Sequence, residues 1–208
     1  HAGWNDEAIE TYRARFGGFG RVVHALPDSF RRLHEGEVIR IGTHDWRVII
    51  GNGHSPEHAC LLCEELKLLV SGDQVLPRIS SNVSVFPTEP DADPLADWIG
   101  SIAKLRSAVG DEVLVLPSHG EPFRGLHARL DRLASGHAKS LDRLRRSLGE
   151  QPKRAIDCFG ALFARQIQGP ELLGMATGET LAHLNHLLAR EEIVRETPAD
   201  GVWRYRRR

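Results

Sequence analysis

Short apolar runs recur through the first 120 or so residues, each closed by small residues or proline. Val38–Ile41 and Trp46–Ile50 flank Gly42-Thr43-His44-Asp45 and predict a hairpin with a tight turn. His58–Cys63 and Leu66–Val70 predict a second hairpin, turning at Glu64-Glu65, and Val113–Leu116 predicts a further strand. Before that strand, Asp93 reads as a helix N-cap with Pro94 at the first helical position. Leu95, Trp98, Ile99, Ile102 and Leu105 then form one apolar stripe. Strand, helix, strand in that order implies helices laid on a sheet. At the start, Asp6–Phe16 predicts a short helix with Ile9, Tyr12 and Phe16 on one face, ended by Gly17-Gly18-Phe19-Gly20. No Lys-Ser/Thr follows those glycines, so they read as a turn rather than a phosphate loop. Val22–Leu26 reads as extended.

From Gly125 the period changes. Leu126, Leu130, Leu133, Leu141, Leu144 and Leu148 fall at helical spacing, with His137 on the same face. They predict a long amphipathic helix stopped by Gly149 and Pro152, its arginines on a solvated face. Arg154–Phe163 predicts another helix, Gly169-Pro170 a linker with a short turn at Leu172-Leu173, and Thr177 the cap of a helix over Gly178–Arg190. On that helix Leu181, Leu184, Leu187 and Leu188 point inward, and Glu179, His183, Asn185 and His186 outward. Ile193–Glu196 and Val202–Tyr205 make a hairpin around Ala199-Asp200-Gly201. Helices followed by a hairpin are similar to a winged helix. The chain therefore divides into residues 1–124 and a helical, winged-helix-like part over 125–208.

Charge supports that division. Residues 1–123 carry 11 Lys/Arg against 18 Asp/Glu, a net of −7, and residues 124–208 carry 16 against 10, a net of +6. The asymmetry points to modules with different partners, and Arg204 with Arg206-Arg207-Arg208 is basic enough to attract phosphate. Hydrophobic content of 41% and charged content of 26% are those of an ordinary globule. No apolar run approaches the ~18 residues of a membrane span, so no membrane partner is expected. Three cysteines suit free thiols in a reducing compartment such as the cytoplasm. Cys60-x-x-Cys63 lies in an apolar segment and reads as a pair of core thiols.

Three of the strands end in a bend and then a metal-capable side chain. Val48-Ile49-Ile50 runs through Gly51-Asn52-Gly53 to His54. Leu68-Leu69-Val70 runs through Ser71-Gly72 to Asp73, and Val113–Leu116 through Pro117-Ser118 to His119. If these strands are neighbours, His54, Asp73 and His119 converge at one sheet edge. Two imidazoles and a carboxylate suit Zn²⁺, Mn²⁺ or Fe²⁺. After Asp73, residues 74–94 form a long proline-rich stretch containing Ser80-Ser81-Asn82. It serves either as substrate-lining loop or as surface crossover.

Gly-His-Ser-Pro-Glu-His, then Ser-Gly-Asp, then Pro-Ser-His-Gly resembles the second half of a metallo-β-lactamase-fold hydrolase, over residues 37–124. The resemblance implies an α/β fold, part of an αββα sandwich of two sheets between helices. It also implies that His54 binds one metal, His119 a second, and Asp73 bridges both as the central catalytic ligand. His58 matches a position that supports the ligands. Two zinc ions would activate water for attack on an ester, thioester, amide or phosphodiester, with Ser80, Ser81 and Asn82 as candidate substrate contacts. The family's His-x-His-x-Asp-His motif is absent from the eleven histidines; His44-Asp45 is its nearest echo. The resemblance thus implies the C-terminal part of a longer protein, with an incomplete metal site and an inactive state when alone, or a degenerate relative. An uncovered sheet face would favour a homo-oligomer. Other readings stay open: an endoribonuclease branch that holds RNA with the basic tail, an inactive nucleic-acid-binding or scaffold protein, and a mononuclear iron oxygenase.

Overall fold

A computed structural model describes residues 1–15 and 23–208. Five strands form one sheet in the order β1 (Val38–Ile41), β2 (His44–Gly51), β3 (His58–Cys63), β4 (Leu68–Gly72) and β5 (Leu114–Pro117). β1 to β4 are an antiparallel meander, and β5 joins β4 in parallel after a helical crossover. Both expected hairpins are present, the first with Ile41 opposite His44 across Gly42-Thr43. Alternation along the strands separates two faces. Ile49, Cys60, Leu62, Leu69 and Val115 are buried beneath helices, whereas Ile50, Leu61, Leu68, Val70 and Leu116 on the other face stay half-exposed.

The covering layer comes from α2 (Pro94–Ala108) and α3 (Leu126–Ser147). Asp93 caps α2 as expected, its carboxylate accepting from the Ala96 amide at 3.0 Å. Leu95, Trp98, Ile102 and Leu105 are buried, and Ser101 completes the face by binding the Asn52 amide at 2.7 Å. On α3 the leucine stripe and His137 are buried. Arg129 departs from the expected solvated face. It is 7% exposed and donates to the Leu76 and Ile79 carbonyls, both at 2.6 Å. The buried Leu76 carbonyl needs a donor, and the long guanidinium supplies one there and a second to Ile79, in the stretch that follows Asp73.

α1 spans Asp6–Arg15. Phe16, Gly17-Gly18-Phe19-Gly20 and Val22, assigned in sequence to its end and to the stretch beyond, lie outside the described residues; Val23–Leu26 joins no strand. Over the expected helix at Arg154–Phe163, a 3₁₀ turn (Ala155–Cys158) leads into the single turn α4 (Phe159–Leu162).

A larger correction concerns α5. Pro170–Ala189 is one continuous helix starting after Gly169, not a linker and a helix capped by Thr177. Thr177 sits inside it, its hydroxyl donating back to the Leu173 carbonyl at 2.7 Å and accepting from the Trp4 indole at 2.9 Å. Gly178, expected as the first residue of the helix, lies in its interior. A side chain there would collide with Ser84, so the glycine serves close approach of the residue 81–85 loop, and tertiary contact overrides its weak propensity. The polar face of α5 is likewise not outward. His183 is 1% exposed, Asn185 is buried with its amide on the Pro90 and Ala92 carbonyls, and His186 pairs with Asp93 at 3.1 Å. α5 is thus docked on the loop before α2. β6 (Ile193–Glu196) and β7 (Arg204–Arg207) follow as an antiparallel hairpin, two residues later than expected on the second strand. A single core runs from Ile49 on the sheet through Leu130 and Leu184 to Tyr205. The architecture is α/β throughout.

Candidate metal centre

The ends of β2, β4 and β5 lie at one edge of the sheet, β4 beside β5 and the start of β3 between β2 and β4, and their bends bring His54, Asp73 and His119 together. The loop from Gly51 to His58 presents His54, with Gly53 at φ 99° and tight against Trp98 on α2. A register shift between Val70 and Gly72 turns the end of β4 so that Asp73 leaves the sheet edge. Gly72 has φ 50°, and any Cβ there would strike the His58 ring. That missing side chain lets His58 Nε2 accept the Asp73 amide proton at 3.1 Å. His58 is therefore a backbone support for Asp73. Burial, reinforced by the nearby His54, holds its pKa below the usual range.

Asp73 is the hinge of the cluster. One carboxylate oxygen stands 3.7 Å from His54 Nε2, and the other 3.5 Å from His119 Nε2. Both separations exceed a good hydrogen bond. They are close to the ~3.4 Å edge between two donor atoms that share an ion at ~2.1 Å. His54 Nδ1 donates to the Asn82 carbonyl at 2.8 Å. The proton on Nδ1 leaves the Nε2 lone pair directed at Asp73, the usual way a ligating imidazole is oriented. The donor set and tautomer therefore fit a carboxylate bridging two metal positions. Among the described residues, no three His, Cys, Asp or Glu side chains close on a common point that would hold an ion unaided.

The residues proposed from sequence to meet substrate are placed as follows. Ser81 is buried, and its hydroxyl donates to the Asp73 carbonyl. Asn82 gives its carbonyl to His54 and its amide to Glu179 Oε2 at 3.1 Å. Ser80 is exposed, donates to the Ser81 carbonyl at 3.3 Å and lies 3.4 Å from His137 Nε2. Sequence reasoning missed Ser118, whose hydroxyl donates to Asp73 Oδ1 at 2.5 Å. It also missed Glu179 and Arg129, which sit on helices far along the chain. The one signal available for Ser118 was its position next to His119. Cys60 and Cys63 are buried free thiols; Cys60 Sγ lies 3.8 Å from His58 Nδ1 and donates to the Ser71 carbonyl at 3.6 Å, and burial pushes this thiol up to about 12.

The basic tail is largely paired. Arg204 is matched by Asp200, Arg206 by Glu196 and Arg208 by Glu191, at 2.7–3.1 Å. No helix among the described residues is long and apolar enough to cross a membrane.

Comparisons with known proteins bear on the family of the chain. A family model described as the metallo-beta-lactamase superfamily matches residues 1–150, and one for the metallo-beta-lactamase-like C-terminal domain matches residues 141–208. A probable metallo-hydrolase, YqjP of Bacillus subtilis, is 30% identical over 155 residues, covering 73% of this chain and 47% of that protein. An atrochrysone carboxyl ACP thioesterase of Aspergillus fumigatus is 29% identical over 176 residues, covering 83% of this chain and 38% of that protein. Among solved structures, a beta-lactamase domain protein from Burkholderia ambifaria superposes with a TM-score of 0.92 at 42% identity, covering 99% of this chain and 58% of that one. A metallo-beta-lactamase family protein from Thermus thermophilus gives 0.77 at 25% identity, covering 98% and 65%. The chain spans about half the length or less of these two curated relatives. Motif order, site geometry and a superfamily model over most of its length lead to one conclusion: this chain belongs to the metallo-β-lactamase superfamily.

Proposed function

We propose that this chain supplies the bridging half of a two-metal hydrolase site that cleaves an ester or thioester. The observation that carries the reading is the Asp73 carboxylate, each of whose oxygens faces a different imidazole. His54 and His119 would each hold one ion and Asp73 both, with zinc, manganese or iron suited to the donor set. Bound there, the metals would supply Lewis acidity and activate water at neutral pH. The chain's own residues do the rest. His58 and Ser81 fix the Asp73 backbone, Asn82 fixes the His54 tautomer, and Ser118 orients the Asp73 carboxylate.

Two ligands per ion are fewer than the three of an ordinary catalytic zinc site. The remaining donors are expected from the part of the longer protein that this chain does not contain. The half-exposed sheet face bearing Leu61, Val70 and Leu116 is where that part would pack. The thioester preference is supported by the fungal thioesterase, which aligns with 83% of this chain. The RNA reading loses support from the tail, because Arg204, Arg206 and Arg208 already face carboxylates.

The test uses the full-length protein. It should carry about two metal equivalents by elemental analysis. It should hydrolyse an acyl-N-acetylcysteamine thioester and lose that activity on chelation. Turnover of bis-p-nitrophenyl phosphate with no thioester cleavage would overturn the substrate class, and tight stoichiometric metal in residues 1–208 alone would overturn the division of ligands.

A further inference from the structure

The His54 ring is oriented by a backbone carbonyl, and a carbonyl orients a ring only if its own peptide is held. Asn82 lies in a loop without regular structure, so something outside the loop must hold it. The contacts come from one turn of α5. The Asn82 amide donates to Glu179 Oε2 at 3.1 Å and to the Met175 carbonyl at 3.4 Å. Its side-chain oxygen accepts from the Ser84 hydroxyl, and one residue further on Val85 N donates to the Gly178 carbonyl at 3.0 Å. Gly178 admits the loop at this distance, since a side chain there would meet Ser84 and the Val85 carbonyl.

We propose that Glu179 is a positioning residue for the metal centre: through Asn82 it holds the His54 imidazole with Nε2 turned toward Asp73. The inference rests on the metal reading above. It assigns the C-terminal helix a part in the site although none of its residues reaches Asp73.

Packing alone does not account for Glu179. Leu184 and Leu187 already anchor α5 in the core. A carboxyl withdrawn from water is costly, and burial raises the pKa of Glu179, an effect only partly offset by the Asn82 amide. An apolar residue would pack more favourably at that point if holding the helix were the whole role. What a carboxylate adds is an acceptor for the one side-chain donor that fixes the Asn82 peptide. Met175 contributes only a longer bond from the same helix, 3.4 Å against 3.1 Å.

The experiment compares metal binding in the full-length protein and its variants, loaded with Co²⁺ and read by competition titration and by the cobalt ligand-field spectrum. Glu179→Ala should weaken one metal equivalent about tenfold or more, the range for a group that orients a ligand, and should alter its spectrum. Glu179→Gln keeps an acceptor for the Asn82 amide and should restore both. Asn82→Ala retains the carbonyl but removes the link. It should match Glu179→Ala, and the double variant should be no worse than either single one. Leu184→Ala, on the same helix, should lower stability and leave the spectrum unchanged. Unaltered cobalt affinity and spectrum in Glu179→Ala or Asn82→Ala would overturn this inference alone, as would an equal metal defect in Leu184→Ala. A wild-type protein that binds no cobalt would overturn the metal reading and this inference with it.

Discussion

The two sides of Asp73 are built differently. His54 is 30% exposed, its ring bonded through Nδ1 to Asn82, and Asn82 is bonded in turn to α5. His119 is 70% exposed and follows directly from the end of β5. The support closest to it is Ser118, which holds the carboxylate and not the imidazole. On the His54 side of the proposed metal site the imidazole is preset by loop, helix and core. On the His119 side the ring keeps its freedom. A preset ligand loses less entropy on binding, so the first position should fill at lower metal concentration than the second.

The largest test of this contrast removes what both sides share. In the full-length protein, Asp73→Ala should empty both positions and lower thioester hydrolysis by at least about 10³-fold, since metal assistance is worth several kcal/mol. His119→Ala should leave about one equivalent in place. Elemental analysis after gel filtration distinguishes the two. Equal loss from both variants would mean that the sides are not independent.

A second test uses pH on the His54 side alone. His137 is 6% exposed, faces Trp98 and His183, and lies beside Ser80. Burial, with the neighbouring His183, takes its pKa from 6.5 to about 4. The unfolded chain therefore takes up a proton near 6.5 that the folded chain refuses until about 4. The resulting stability is complete above pH 6.5 and declines as pH falls through that window, by a ceiling of about 3 kcal/mol at 1.36 kcal/mol per unit. His183 is shifted in the same direction, chiefly by burial. Denaturant titrations at pH 7 and pH 4.5 should show a smaller difference in His137→Leu than in the wild type. Parallel losses in both proteins would show that His137 carries none of it.

How much of this was legible in the sequence follows the same division. His54, Asp73 and His119 each stand one bend beyond an apolar strand, so local pattern put each at a strand end; their meeting at one edge was conditional on neighbouring strands, and it holds with β3 between β2 and β4. The α2 cap and both sheet hairpins were equally local. What escaped was long-range. Arg129 looked like one more arginine on a solvated helix face, because nothing near it in sequence announces the Leu76 and Ile79 carbonyls. Thr177-Gly178 looked like a helix start, because the partner that requires the glycine, Ser84, lies 94 positions away. Glu179, His183 and Asn185 looked outward because the face they occupy is polar. It is polar because it meets the backbone and amides of a loop, not water.

Arg129 gives the third test. Arg129→Met keeps the length and apolar stem but strands the carbonyl of buried Leu76 and frees that of exposed Ile79, and should cost about 1–3 kcal/mol of unfolding free energy. The loosened segment lies between Asp73 and Asn82, so hydrogen exchange should accelerate over residues 74–82 and stay unchanged at Leu114–Pro117. Metal should be lost from the His54 side first. Acceleration spread evenly over the sheet would show that Arg129 stabilises the fold generally and does not tension this loop.

The smallest expected effect lies on the open side. Ser118→Ala removes one hydrogen bond to Asp73 Oδ1, the oxygen that faces His119, and leaves the His54 contacts in place. Serine and alanine differ by one oxygen, and the Ser118 amide still donates to the Gly72 carbonyl, so the end of β5 should hold its course. The carboxylate then turns more freely about its own bond. Support by an outer hydrogen bond is worth roughly tenfold in metal affinity at the low end of its range. The second equivalent should therefore weaken by about that factor in competition titration, with the first unchanged within error. If instead the first equivalent weakens as much as the second, the carboxylate turns as one rigid bridge, and the two sides of Asp73 form a single cooperative site.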